Sequence, residues 1–158
     1  MAERLAEFHS SFAGLFRSGA PLVYCDRVDD DILFESCQQI VQKSGLDGPE
    51  AVLWVWTCTS GLLDYSRDPP RIIFDLGDVA AFDQLIQHLC NATISRRLPE
   101  RIIVLALDAV TSEGLPSSPL RPIRLLKDLW GHWYGLGRER TLLFTGAGWI
   151  PPALARRT

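Results

Sequence analysis

An uninterrupted apolar run, Ile102-Ile-Val-Leu-Ala-Leu107, constrains the fold of this chain more than any other feature. Arg101 and Asp108 bound it, and it is much too short to span a membrane. Consecutive apolar residues of this kind are typical of a strand that is buried on both faces of a sheet. Such a sheet needs a layer of helices on each side. The run therefore predicts an α/β fold.

Shorter strand-like segments alternate with segments of helical period along the rest of the chain. Turn-forming residues predict loops from Ser60 to Pro70 and over 111–122. We predict a single α/β domain over residues 1–158, with a mostly parallel sheet of four to five strands and helices on both faces. The predicted strands are 22–25, 51–58, 72–74, 101–108 and 140–145. The predicted helices are 3–17, one that begins at Asp29–Asp31 and ends near Gly45, 82–90, 120–136 and a short one over 151–155.

The composition limits the partners and the compartment. Acidic residues outnumber basic ones by 19 to 16, and the net charge of -3 argues against nucleic acid as a partner. The chain has no apolar stretch long enough for a membrane span, so none is predicted. Its first eight residues alternate charged with apolar side chains, unlike a signal peptide, and we expect a cytoplasmic protein.

The cysteines and histidines lack the spacing of metal ligands. No Cys-x-x-Cys pair occurs, so a zinc ribbon and a thioredoxin-like motif are both excluded. We predict free, buried thiols rather than a disulfide, and neither a metal nor a cofactor. The residues concerned are Cys25, Cys37, Cys58, Cys90, His9, His88 and His132.

Phosphate-binding motifs are also missing. A P-loop needs Gly-x4-Gly-Lys-Ser/Thr after a strand, because backbone N–H groups and the lysine hold the phosphates. The nearest approximation, Gly14 to Gly19, precedes a strand and continues with Ala20 and Pro21. Neither Lys43 nor Lys127 follows a glycine-rich turn. ATP hydrolysis by the P-loop route is therefore not expected.

Two weaker motifs keep chemical alternatives open. Asp108 follows the apolar run at 102–107, the most clearly predicted strand, and there it either binds Mg²⁺ or simply opens a turn. Gly146 lies in the predicted turn after the last strand. A nucleotide or other small molecule could bind at strand ends near these two residues. Cys90 and Arg96 have the Cys-x5-Arg spacing of cysteine phosphatases, but Cys90 lies on the apolar face of a predicted helix. A core cysteine is the preferred interpretation, and we expect no enzymatic activity.

Aromatic residues are concentrated in the predicted helix over 120–136. Its apolar stripe is wider than one core face, so part of it is expected to reach the surface. Exposed aromatic side chains are frequent anchors of protein interfaces. We predict that Trp130, Trp133 and Tyr134 bind a protein partner, while burial of the whole stripe in the core remains the competing interpretation.

Several segments resemble a known protein family. They are Ala20-Pro-Leu-Val-Tyr24 before an acidic cluster, Leu53-Trp-Val-Trp-Thr57 before Gly61-Leu62, Ile123–Leu129, Arg140-Thr-Leu-Leu-Phe144 and Ile150-Pro-Pro-Ala-Leu154. Together they are similar to the N-terminal domain of the AAA-type ATPases of plastid and cyanobacterial genomes. The resemblance implies a degenerate AAA-type fold that has lost its nucleotide-binding motifs and lies ahead of a catalytic AAA module. It carries over no catalytic residue.

The leading hypothesis is therefore a non-catalytic adaptor or regulatory domain, which is either free-standing or a fragment of a larger AAA-type ATPase. Its partner would be another protein, either an AAA-type ATPase or a target of one. The alternative is a nucleotide or small-molecule binding domain that uses the strand ends near Asp108 and Gly146.

Overall fold

Four helices and six strands make up the described part of the chain. The structure, a computed structural model, describes residues 2–26, 28–45, 51–66, 69–111, 120–134 and 139–147. The elements in chain order are α1 (Ala2–Arg17), β1 (Leu22–Asp26), α2 (Asp30–Ser44), β2 (Val52–Thr57), β3 (Gly61–Asp64), β4 (Arg71–Phe74), α3 (Phe82–Ile94), β5 (Ile102–Thr111), α4 (Leu120–Trp133) and β6 (Arg140–Ala147). The short helix predicted over 151–155 lies outside the described residues.

The apolar run at 102–107 forms the first part of β5, inside the sheet. Ile102 and Val104 pack in the core on one face, and Ile103 and Leu105 pack in the core on the other. All four side chains are fully buried. The prediction of an α/β fold with a strand buried on both faces is confirmed.

The six strands form one mixed sheet in the order β1-β6-β5-β2-β3-β4. β1, β6, β5 and β2 are parallel, whereas β3 and β4 are antiparallel to their neighbours. The prediction of a mostly parallel sheet of four to five strands is therefore wrong in both respects. The sequence predicts a loop from Ser60 to Asp64. In the structure Gly61–Asp64 form β3, which follows a tight turn directly.

The local chemistry of this turn explains why the sequence pattern does not reveal the strand β3. The backbone N–H of Ser60 donates a hydrogen bond to Oγ1 of Thr57 (3.0 Å), which closes the turn. Gly61 then begins β3 with φ of +77°, in the left-handed region that favours glycine. Turn residues thus run directly into a strand of four residues, too short to show a period of its own.

The helices form one layer on each face of the sheet. α1 and α2 cover one face, and α3 and α4 cover the other. α1 leads into β1, and β1 leads into α2, so α1 and α2 both start at the edge where the parallel strands end. A contact between His9 Nδ1 and Ser36 Oγ (3.0 Å) joins the two helices near their middles. We call the edge at which the parallel strands end the carboxyl edge.

Candidate functional site

The aromatic residues of α4 divide between the core and the surface. Trp133 is 1% exposed and lies in the core beneath α3 and α4. Its Nε1 donates a hydrogen bond to Oγ1 of Thr93 on α3 (2.9 Å). Trp133 therefore links α3 to α4. Of the three residues predicted to bind a partner, Trp130 and Tyr134 are the accessible ones.

Trp130 and Tyr134 form a stacked pair at the end of α4. Their ring centroids are 5.3 Å apart and their planes differ by 16°. Trp130 is half-buried against the core, while Tyr134 is 62% exposed. The backbone N–H of Tyr134 donates to the carbonyl of Trp130 (2.8 Å), which holds the second residue of the pair in the last turn. We call these two residues the aromatic pair.

Trp130 lies on a different side of α4 from Leu125, whose carbonyl is near α3. Cys90 Sγ of α3 lies 4.0 Å from the carbonyl oxygen of Leu125, so α3 packs against that side of α4. At about 100° per residue, Trp130 lies roughly 140° around the helix from Leu125. α4 connects β5 to β6 along the chain, and these two strands are neighbours in the sheet, with β1 on the other side of β6. The aromatic pair therefore lies at the end of the helix that links two adjacent parallel strands.

The residues of the alternative site, Asp108 and Gly146, are both at the carboxyl edge. β5 departs from regular pairing with β6 between Ala106 and Val110, and Asp108 there has φ of +52°. The backbone N–H of Asp108 donates to Oγ1 of Thr145 (2.9 Å). Gly146 is paired with Asp26 of β1. The structure thus brings the two predicted residues into one region, where α/β proteins commonly bind ligands.

Several acidic residues lie close together in the described part of this region. Partial burial, followed by the charges of Asp108, Asp31 and Asp29, raises the pKa of Asp30. In a P-loop protein the corresponding helix start presents backbone N–H groups and a lysine to phosphate. Here the helix start carries three consecutive carboxylates. These described carboxylates therefore favour a cation over the phosphates of a nucleotide.

The Cys90–Arg96 motif does not adopt a phosphate-binding geometry. Cys90 lies inside α3, and burial together with the nearby Asp128 raises its pKa to about 11. A phosphatase nucleophile needs the reverse shift, because the thiolate is the reactive form. Arg96 is exposed beyond the end of α3. The geometry supports the interpretation of Cys90 as a core residue.

Thiol labelling of the native protein tests this account of the cysteines. We expect Cys58 to react quickly with iodoacetamide, because it is exposed in the β2–β3 turn. Burial raises the pKa of Cys25 and of Cys90 to about 11, and that of Cys37 further, so these thiols should stay protected until the chain unfolds. Mass spectrometry of the labelled peptides gives the measurement, with Cys58→Ser as the control. Fast native labelling of Cys90 would contradict it.

The described residues offer neither a metal site nor a membrane-spanning helix. Among the described residues, no three His, Cys, Asp or Glu side chains are grouped as a metal site requires. No helix in that part of the chain is long and apolar enough to cross a bilayer.

Comparison with known proteins gives no relative: no protein-family model, no curated protein and no solved structure matches the chain.

Proposed function

We propose that this chain is a non-catalytic adaptor domain that binds an AAA-type ATPase through the aromatic pair, Trp130 and Tyr134. The observation that carries the proposal is the exposure of Tyr134 on a fixed support: its ring is stacked on Trp130, which packs against the core. An exposed aromatic ring held in one orientation loses little conformational entropy on binding. Tyr and Trp in such positions are over-represented among the residues that dominate interface energies.

The neighbouring residues of α4 suggest the chemistry of the partner surface. Ile123, Lys127, Trp130 and Tyr134 follow one another at intervals of four, three and four residues, so they share one face of the helix. Ile123 and Lys127 are half-buried, as is Trp130. The complementary surface would offer an apolar pocket to the rings and a carboxylate to Lys127.

The choice of an AAA-type ATPase as the partner rests on the resemblance of several segments to the N-terminal domains of these enzymes. Two properties of the chain are compatible with it. The parallel strands β1, β6, β5 and β2 with helices on both faces give the general architecture of an α/β nucleotide-binding domain. The acidic start of α2, at Asp29–Asp31, is unsuited to phosphate, as expected of a domain that has lost nucleotide binding.

Affinity capture from a lysate of the source organism tests the proposal. The wild-type protein is compared with Trp130→Ala and Tyr134→Ala, and with Ile72→Ala as a matched control. Ile72 is 63% exposed and lies on β4, at the opposite end of the sheet from β1. We expect one partner with an AAA module, bound in stoichiometric amount by the wild type and by Ile72→Ala.

The two aromatic variants should bind the purified partner about tenfold more weakly or worse, because interface hot spots contribute more than about 1.4 kcal/mol each. Equal affinity for all four proteins would contradict the assignment of the surface. The captured partner could instead lack an AAA module and fail to bind the aromatic variants. That result would support the aromatic pair as the binding surface but contradict the proposed class of partner.

A further inference from the structure

A groove separates α1 from the start of α2 at the carboxyl edge. Its volume is about 400 Å³, and it is open to solvent along one side. It lies on the face of the sheet covered by α1 and α2, whereas the aromatic pair lies on the face covered by α3 and α4. The residues that line it are Arg4, Glu7, Phe8, Ser11, Val28, Asp29 and Ile32.

The floor of the groove is apolar. Phe8 stacks on Phe12, with ring centroids 5.6 Å apart, and Ile32 is 4% exposed. Phe8 and Val28 are only half-buried, although both pack against the core on this face. The floor therefore leaves apolar surface in contact with water, and covering it with an apolar side chain is favourable.

The rim of the groove carries net negative charge. The described lining residues comprise two acids, Glu7 and Asp29, and one base, Arg4. Asp30 and Asp31 follow Asp29 in the first turn of α2. Charges of the same sign close together at the surface create a potential that attracts cations.

Asp29 is also available to a ligand. It occupies the N-cap position of α2, where an aspartate usually accepts a hydrogen bond from a backbone N–H of the first turn. Its carboxylate makes no such capping bond to the described residues, and it is exposed on the rim. The carboxylate of Asp29 therefore does not cap α2 and can contact a ligand.

We propose that this groove binds a basic peptide segment of a partner protein, with an apolar side chain on the floor and flanking Lys or Arg side chains against Glu7 and Asp29. Charge complementarity selects this occupant: the rim attracts cations, and the floor accommodates an apolar group. The volume is of the size that holds a small ligand or one or two side chains, not a folded domain. The site is independent of the aromatic pair, so either proposal can fail alone.

The probe is a fluorescein-labelled peptide, acetyl-Arg-Arg-Leu-Arg-Arg-amide, titrated at low ionic strength and followed by anisotropy. Two companion peptides replace the leucine with glycine or the arginines with glutamate. We expect the first peptide to bind with micromolar affinity, the glycine peptide to bind several-fold more weakly, and the glutamate peptide not to bind. Added salt should weaken binding, because the rim charges are exposed.

The decisive comparison is between two double variants of equal charge. Glu7→Gln with Asp29→Asn should reduce the affinity about tenfold, while keeping the fold, since asparagine is as good an N-cap as aspartate. Glu35→Gln with Asp78→Asn is the control, because both side chains are exposed and neither lines the groove. Circular dichroism confirms that both variants are folded.

Three results would overturn the proposal. Equal losses in the two double variants would show a general charge effect, and equal binding of the leucine and glycine peptides would show that the floor is not used. A dimer that dissociates in Glu7→Gln with Asp29→Asn, measured by sedimentation, would make a second copy of the chain the occupant.

Discussion

Replacing Trp133 with alanine is expected to lower the free energy of unfolding by about 3–5 kcal/mol, the range for a buried aromatic side chain. The ring is 1% exposed, so its removal leaves a cavity between α3, α4 and the sheet. The change also deprives Oγ1 of Thr93 of the hydrogen bond from the indole N–H (2.9 Å). Urea denaturation followed by circular dichroism gives the measurement.

Tyr134→Ala is the matched control, one residue further along the chain. The side chain is 62% exposed, so the free energy of unfolding should change by no more than about 0.5 kcal/mol. The two variants therefore distinguish a structural role for Trp133 from a binding role for Tyr134. Similar destabilisation by Trp133→Ala and Tyr134→Ala would contradict the placement of Trp133 in the core.

Gly61→Ala is expected to destabilise the protein by at least about 2 kcal/mol. The φ of +77° alone costs an L-residue about 1–2 kcal/mol. In addition, a Cβ at this position would lie 2.7 Å from the carbonyl oxygen of Phe74 and 3.0 Å from the backbone nitrogen of Leu76. These are backbone atoms, so relief of the overlap has to move β3 and β4 apart, and the two effects add.

Gly14→Ala is the control, and its effect on the free energy of unfolding should have the opposite sign. Gly14 lies inside α1, and beyond the neighbouring backbone of that helix a Cβ there would have no heavy atom of the described residues within 4 Å. Alanine should therefore stabilise the protein by about 0.5–1 kcal/mol, because glycine is a poor helix former. Thermal unfolding of both variants is the measurement. A Gly61→Ala protein as stable as the wild type would contradict the close approach of β3 to the chain after β4.

Periodicity and composition predicted the main layers of the fold because burial on both sides leaves a clear sequence pattern. The run at 102–107 is apolar at every position, since β5 has neighbours above and below. The helices over 3–17 and 82–90 were predicted from apolar residues three and four apart, and α1 and α3 occupy these positions.

The division of the α4 aromatics could not be predicted in the same way. Trp130 and Trp133 are three residues apart, so both fit one broad apolar stripe. Which of them is buried depends on where α3 lies, and the contact between Trp133 and Thr93 joins residues 40 positions apart. A pattern within one helix carries no information about that distant neighbour.

The groove was missed for a related reason. Phe8 and Ile32 fit the core faces of α1 and α2, and the aspartates fit the start of a helix. The space between them arises because both helices start at the carboxyl edge and pack side by side. Asp29–Asp31 was the signal in the sequence, but the same residues are expected at a helix N-terminus with no ligand.

Photo-crosslinking from position 134 tests the central claim most directly. Tyr134→p-benzoylphenylalanine places a reactive ketone where the aromatic pair is exposed, and the same substitution at Ile72 is the control for random collisions. Our account predicts a covalent adduct with one AAA-type ATPase from position 134, and none from position 72. No adduct from position 134, or the same adduct from both positions, would contradict the assignment of this surface as the protein-binding site.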